Sequence, residues 1–271
     1  MNSINELNNG KVEINQTKSK NIFENIKSKY ILKRLFDNLK KVKSLEMIKY
    51  NKNLQKRRNL NFNDYKDFSE KFSSIEIEII PANNKFGDFI NVKRTYKRYY
   101  HIYFNDNKEE EIKRKNFLIK EDKVNKINIV IDYQVKSLSE LFFNCECIES
   151  INFKKFYRND INNMSYMFSR CSSLKKIKFS SFNTINVKDM SKMFNHCISL
   201  KELNLSNFDI KNVRDMNDMF YGCPLLKEFN LSNFNTNNIS NMSKIIYDCS
   251  YLFILISVIL MLKIYDMSLI S

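Results

Sequence analysis

Apolar positions in the second half of the chain repeat with a period of 26 residues. Leucine, isoleucine, phenylalanine and methionine recur at fixed distances from five cysteines, namely Cys145, Cys171, Cys197, Cys223 and Cys249. A fixed period of this length is typical of a solenoid, in which each unit stacks only on its neighbours. The pattern therefore predicts a stack of similar units over residues 125–250, with a partial first unit near residue 125.

Two short elements are predicted within each unit. The stretch Leu200–Leu205 has a Leu-x-x-Leu-x-Leu order that ends in strict alternation, which predicts a short strand with one buried face. The stretch Asp215–Phe220 places apolar residues three and four apart, which is typical of a helical turn. Aspartates such as Asp189 precede these turns, where a carboxylate accepts hydrogen bonds from free backbone N–H groups.

The units resemble the BspA-like leucine-rich repeat family, also described as the 26-residue lipoprotein-type surface repeat. The resemblance rests on three stretches, Leu200–Phe208, Asn212–Met216 and Met219–Cys223. It implies a leucine-rich-repeat-like solenoid with short parallel strands and short helices, so the predicted fold class is α/β. It also implies adhesion or protein binding, with partners that vary across the family.

The outward residues of the predicted strands form the candidate binding face. Because Leu203 and Leu205 are expected to point inward, their neighbours should point outward, and stacking should align equivalent neighbours into columns. Three columns result: Lys176, Glu202 and Glu228; Lys178, Asn204 and Asn230; Ser180, Ser206 and Ser232. We call these nine residues the strand face. The columns are polar and mixed in sign, which favours a protein ligand over a nucleic acid.

The sequence does not indicate catalytic, cofactor or metal chemistry. It contains no Cys-x-x-Cys pair, no Gly-rich phosphate loop and only two histidines, His101 and His196. No catalytic, cofactor-binding or metal-binding residue is predicted, and a non-enzymatic function is expected. The repeat cysteines are predicted to be buried free thiols, because a buried cysteine packs as a small hydrophobic residue.

The first half of the chain is more basic and is predicted to be organised differently. Residues 1–136 hold 30 Lys and Arg against 18 Asp and Glu, out of a formal net charge of +15 for the chain. Residues 1–18 are predicted to be a disordered tail, and residues 19–60 a basic helical segment. That segment is either a surface for nucleic acid or an anionic membrane, or the solvated face of a small helical unit.

A small β-rich unit is predicted over residues 61–124. Its clearest strand is Ile75–Ile79, which alternates isoleucine and glutamate. The runs Tyr99–Phe104 and Ile127–Ile131 are rich in aromatic and β-branched residues and predict two further strands.

Residues 23–54 also resemble an F-box in the order of their features. An Ile-Leu-x-x-Leu-Phe core at Ile31–Phe36 is followed by Leu39 and a second apolar stretch at Leu45–Ile48. The usual Leu-Pro start and a late tryptophan are missing. An F-box followed by leucine-rich repeats would imply a substrate adaptor in ubiquitin-dependent turnover.

Residues 251–271 are predicted to be a degenerate apolar repeat or a tail. Tyr251–Leu262 carries no charge but is short for a transmembrane helix, and the longer span 245–264 contains Asp248. The first twenty residues lack the apolar core of a secretory signal, so the expected location is cytoplasmic. Membrane association through the apolar C-terminus is the alternative.

Together these features predict a protein-binding scaffold of unknown partner that acts through the strand face. Two other functions stay open, an F-box-like adaptor and a membrane-attached surface or adhesion protein.

Overall fold

A computed structural model gives the fold and describes residues 70–105, 107, 109–112, 116–230 and 238–250. The chain divides into two compact units, Met1–Ser69 and Glu70–Ser271, and every described residue belongs to the second. The predicted tail, the basic helical segment with its F-box resemblance, and the apolar run from residue 251 lie outside the described residues.

The named elements of the described residues are nine β-strands and one 3-10 helix. They are β1 Ile75–Pro81, β2 Gly87–Asp88, the 3-10 helix Arg94–Tyr99, β3 Tyr100–Phe104, β4 Phe117–Leu118, β5 Ile127–Ile131, β6 Ile148–Lys155, β7 Lys176–Phe179, β8 Glu202–Asn204 and β9 Glu228–Asn230. A mixed sheet has the order β3-β5-β1-β6-β7, and β2-β4 and β8-β9 form two-stranded sheets.

The predicted strands at residues 75–79 and 127–131 are confirmed as β1 and β5. Each buries every second residue, because alternate side chains of a strand point to opposite faces. The run predicted at residues 99–104 is a strand from Tyr100 onward, and the residues before it form the 3-10 helix.

Strand β1 connects the first strands to the repeats. It pairs antiparallel with β5, where Ile77 faces Ile129, and antiparallel with β6, where Ile79 faces Ile151. Strand β6 belongs to the first repeat and pairs in parallel with β7 of the next, where Ile151 faces Ile177. The main sheet therefore extends across residue 125, and its central strand comes from outside the repeats.

The predicted fold class, an α/β leucine-rich-repeat-like solenoid with short helices, is wrong. The regular elements of the described part of the chain are mostly β-strands, and they include no α-helix. The parallel ladder is also interrupted, since β7 ends the mixed sheet while β8 pairs only with β9. The stretches predicted as helical turns are hydrogen-bonded turns over residues 139–144, 165–170, 191–196, 217–222 and 243–248, which we call the turn blocks.

Backbone hydrogen bonding explains why the turn blocks are not helical. The N–H groups of Met190, Lys192, Phe194 and His196 donate to carbonyls of the next repeat, at N···O distances of 2.7–2.9 Å. An α-helix needs those N–H groups for bonds to carbonyls four residues earlier. The backbone instead makes tight turns closed by Met193 N to Met190 O and by Cys197 N to Phe194 O.

The turn blocks also contain residues in the left-handed backbone region. Lys192 and His196 both have φ of 55°, and Asp218 and Gly222 take the same places in the next block with φ of 50° and 70°. A positive φ at the third residue of a hydrogen-bonded turn is the geometry of a type II turn. Each block is therefore two such turns in succession.

Phenylalanine columns fill the space between the strands and the turn blocks. Neighbouring rings in the column Phe142, Phe168, Phe194 and Phe220 are stacked, with centroids 5.3–5.6 Å apart. Phe179 of β7 packs against Phe194 of a turn block, with centroids 6.4 Å apart. The strands and the turn blocks therefore lie on opposite sides of one core.

Phe208 lies in this core, as its place in the repeat predicted. Its side chain is 2% exposed. Its ring stacks on Phe182 at 5.1 Å and meets the edge of Phe179 at 4.9 Å.

The predicted burial of the repeat cysteines is also confirmed. All six cysteines of the chain are buried free thiols. Cys171, Cys197, Cys223 and Cys249 each donate through Sγ to a phenylalanine carbonyl of the preceding repeat, at 2.8–3.1 Å. Burial raises the pKa of the Cys197 thiol to about 12 and that of Cys171 well above its ordinary value.

We therefore expect all six thiols to remain free. Titration after denaturation without a reducing agent should find six reactive thiols per chain. In the folded protein the same reagent should react slowly near neutral pH with five of them, because the thiolate is the nucleophile and a raised pKa makes it scarce. These five are Cys145, Cys147, Cys171, Cys197 and Cys223, whereas the pKa of Cys249 is lowered by its hydrogen bond with Cys223. A count lowered by pairs would reveal disulfide bonds and contradict the expectation.

The first repeat departs from the others around a buried arginine. Arg158 is 0% exposed, and its guanidinium donates to Asp160 Oδ1 and to the carbonyls of Asp132 and Val135. Lys136 also contacts Asp160. In the following repeats asparagines stand at the position of Asp160, and Asn186 donates to the carbonyl of Asn159 at 2.6 Å. The arginine thus ties the first repeat to the segment before it.

Candidate functional site

The strand face lies on strands β7 to β9 and the residues that follow them. Lys176, Lys178 and Ser180 are exposed, as are Glu202 and Asn204 in the next repeat. Ser206 is half-buried, so it is less outward than predicted. Glu228 and Asn230 lie in β9, whereas Ser232 falls outside the described residues.

The columns are aligned by strand pairing and by one ion pair. In β8 and β9, Glu202 faces Glu228 and Asn204 faces Asn230. Between β7 and β8, Lys176 Nζ lies 3.9 Å from Glu202 Oε1, and both side chains are more than half exposed. Such an exposed pair contributes only about 0–1 kcal/mol, so both charges remain available to a ligand.

The buried partners of these strands fix the direction of the exposed side chains. Leu203 is 3% exposed and Leu205 is 0% exposed, as predicted. Because neighbouring side chains of a strand point to opposite faces, the anchored leucines direct Glu202 and Asn204 outward. Asn204 Oδ1 also accepts the backbone N–H of Ser206 at 2.9 Å, which holds the amide in place.

Strand pairing extends the strand face beyond the predicted residues. Lys178 faces Asn152 of β6, Asn152 faces Glu78 of β1, and Glu78 faces Asn128 of β5. These four residues form a polar row across the main sheet. Glu78 Oε2 also accepts Lys154 Nζ at 2.5 Å, which adds an ion pair beside the row.

Neither histidine lies on the strand face. His101 is held between two carboxylates, with Nδ1 3.3 Å from Glu111 Oε1 and Nε2 3.3 Å from Asp132 Oδ2. Burial lowers the pKa of His101, but the hydrogen bonds to Asp132 and Glu111 outweigh it, so the pKa is raised. His196 lies on a turn block, and its ring packs 3.2–3.4 Å from the place a Cβ on Gly222 would occupy.

The described ranges contain neither a metal-site cluster nor a membrane-spanning helix. There, His, Cys, Asp and Glu form no group of three or more placed to hold a metal ion. Over those same residues, no helix has the length and apolar character to cross a membrane.

A known protein family matches part of the repeat region. The model of a family described as a Mycoplasma protein of unknown function, DUF285, matches residues 136–255, which is less than half of the chain. No curated protein and no solved structure matches the chain. The predicted resemblance to the BspA-like leucine-rich repeat family is wrong, because the repeats match this family and no leucine-rich-repeat family.

Proposed function

We propose that the protein is a non-enzymatic scaffold that binds a protein ligand through the strand face. The observation that carries the proposal is the alignment of exposed polar side chains, typified by Lys176 and Glu202, 3.9 Å apart on successive repeats. Exposed side chains aligned on successive strands present an extended surface for recognition.

Three properties of the face suit a protein partner. It offers both signs of charge, so it complements a mixed surface better than a polyanion. Its side chains stand on strands anchored by buried residues such as Leu203, so little backbone freedom is lost on binding. The polar row through Asn152 and Glu78 widens it across the main sheet.

We also propose a cytoplasmic location. It is supported by six buried cysteines that all carry free thiols, since reducing compartments keep thiols unpaired.

The binding proposal is tested by reversing the charges of Lys176, Lys178 and Glu202 together. Proximity labelling with the wild-type full chain in its native cell first identifies candidate partners. Purified Lys176→Glu, Lys178→Glu, Glu202→Lys protein should then bind the partner at least about tenfold more weakly, because charge complementarity is inverted. Affinity is measured by calorimetry or surface plasmon resonance with the purified partner.

Folding of the triple variant serves as the control. All three side chains are exposed, and exposed substitutions usually change stability by less than about 0.5 kcal/mol. The unfolding midpoint should therefore match wild type. Unchanged partner affinity in a folded triple variant would rule out the strand face as the binding site.

A further inference from the structure

A second polar surface lies on the turn blocks, on the other side of the core from the strand face. It surrounds a shallow cleft of about 410 Å³ that spans several repeats. Its side chains include Tyr166, Arg170, Lys192, Asp218, Tyr221 and Lys244. We call these six residues the turn face.

Two cations of the turn face have no side-chain partner among the described residues. Arg170 and Lys244 are exposed, and neither forms an ion pair or a side-chain hydrogen bond there. Lys192, by contrast, lies 3.8 Å from Asp218 Oδ2 and 5.2 Å above the ring of Tyr166. Within the cleft lining, the charges available to a ligand are therefore two separated cations with a paired lysine and carboxylate between them.

Aromatic rings line the same surface. Tyr221 stacks on Tyr247 of the next repeat with centroids 5.3 Å apart, and Tyr247 is 61% exposed. Exposed tyrosines supply a large contact area with little loss of side-chain freedom on binding. Cations beside aromatic rings thus give the turn face both charge and contact area for an anionic ligand.

We propose that the turn face binds an extended acidic peptide segment of a partner protein. Arg170 and Lys244 lie three repeats apart, which is roughly 14 Å along the stack at the usual spacing of neighbouring strands. Their different places within the turn blocks add to this separation. An extended peptide advances roughly 3.3 Å per residue, so carboxylates four residues apart span most of the distance, and the long side chains of Arg170 and Lys244 cover the rest. Residues four apart in an extended chain also point to the same side, so both carboxylates face the protein.

Asp218 favours a peptide over a nucleic acid. Its Oδ1 is buried without a hydrogen-bond partner in the described part of the chain, and its Oδ2 lies 3.8 Å from Lys192 Nζ and accepts Asn217 Nδ2 at 3.2 Å. A phosphodiester backbone carries a charge at every step and would bring one of them against Asp218. An acidic peptide instead places uncharged residues between its two carboxylates.

Fluorescence anisotropy with the full chain tests this binding. The probe is a labelled twelve-residue peptide with glutamates four residues apart in a serine and tyrosine background. A second peptide of equal composition has glutamates three residues apart, and a labelled thymidylate 12-mer represents nucleic acid. The first peptide should bind saturably and at least about tenfold tighter than the other two probes, because only it matches both cations.

Variants assign the binding to the turn face. Arg170→Glu with Lys244→Glu should weaken peptide binding at least about tenfold, because both attractive contacts become repulsive. The matched control is Lys188→Glu with Lys211→Glu, two exposed lysines outside both faces, which should change affinity by less than about twofold. Glutamate suits the backbone at Arg170, since Glu140 has the same φ of 62° in another turn block.

Three outcomes would overturn the proposal. The first is that the peptide shows no saturable binding, and the second is that the test and control variants lose peptide affinity equally. The third is that the thymidylate 12-mer binds as tightly as the peptide. The triple strand-face variant should bind the acidic peptide like wild type, because its substitutions lie across the core. A variant that loses binding at one face and keeps binding at the other therefore separates this proposal from the proposed function.

Discussion

Replacing Phe208 by alanine is expected to lower the free energy of unfolding by about 3–5 kcal/mol. The ring is 2% exposed and contacts Phe182 and Phe179, so its removal leaves a cavity between successive repeats. The rings of Phe182 and Phe179 are rigid and fill such a space poorly. The loss of unfolding free energy should therefore lie at the upper end of the range for core truncations. Urea unfolding followed by circular dichroism measures the change.

Ile198→Ala is the matched control for Phe208→Ala. Ile198 belongs to the same repeat but is 46% exposed, so its truncation should cost less than about 1 kcal/mol. An unfolding midpoint for Phe208→Ala equal to that of the control would place the ring outside the core and contradict the packing described above.

The second large effect is expected at Arg158, where Arg158→Met should lower stability by about 3–5 kcal/mol. Methionine keeps much of the volume but removes all the donors. Asp160, 13% exposed, would lose its buried partner, and the carbonyls of Asp132 and Val135 would lose theirs. Lys136 would retain its contact with Asp160 and limit the loss. Urea unfolding again provides the measurement.

Two further variants isolate the effect of burial at Arg158. Lys175→Met removes an exposed cation that lies 3.3 Å from Glu149, and should cost less than about 1 kcal/mol. Adding Asp160→Asn to Arg158→Met should recover part of the stability, because it removes the charge that lost its buried arginine partner. A double variant less stable than Arg158→Met would contradict this explanation.

Local patterns in the sequence predicted much of the core and the direction of the side chains. The alternation of isoleucine and glutamate at residues 75–79 correctly predicted β1. The Leu-x-Leu spacing correctly predicted that Leu203 and Leu205 are buried. Both signals depend on single strands, whose side-chain period of two is independent of the neighbours. The repeat period also correctly placed Phe208 and the cysteines in the interior.

The turn blocks could not be predicted in the same way. Apolar residues three and four apart fit a helical turn and also the two successive type II turns. The choice depends on hydrogen bonds such as Lys192 N to Asn217 O, which exist only once two repeats are stacked. Gly222 and Asn144 were the available signal, since both residue types favour a positive φ.

Arg158 and the polar row were missed for a related reason. Arg158 shares its position in the repeat with Thr184 and Ile210, which are both buried, and that comparison could have indicated a buried arginine. The row through Asn152 and Glu78 depends on the pairing of β1 with β6, whose sequences lie far apart in the chain. Pairing between distant strands is not encoded by any local spacing.

The constant offset between hydrogen-bonded repeats constrains how the gene can change in length. Met164 N bonds to Asp189 O, Met190 N to Asp215 O and Met216 N to Asn241 O, always 25 residues further on. Loss or duplication of 26 codons returns every donor to an equivalent acceptor. Loss of one codon instead shortens a single unit, so that its donors and acceptors no longer align with those of both neighbours. Unit number is therefore free to vary during evolution, whereas unit length is not.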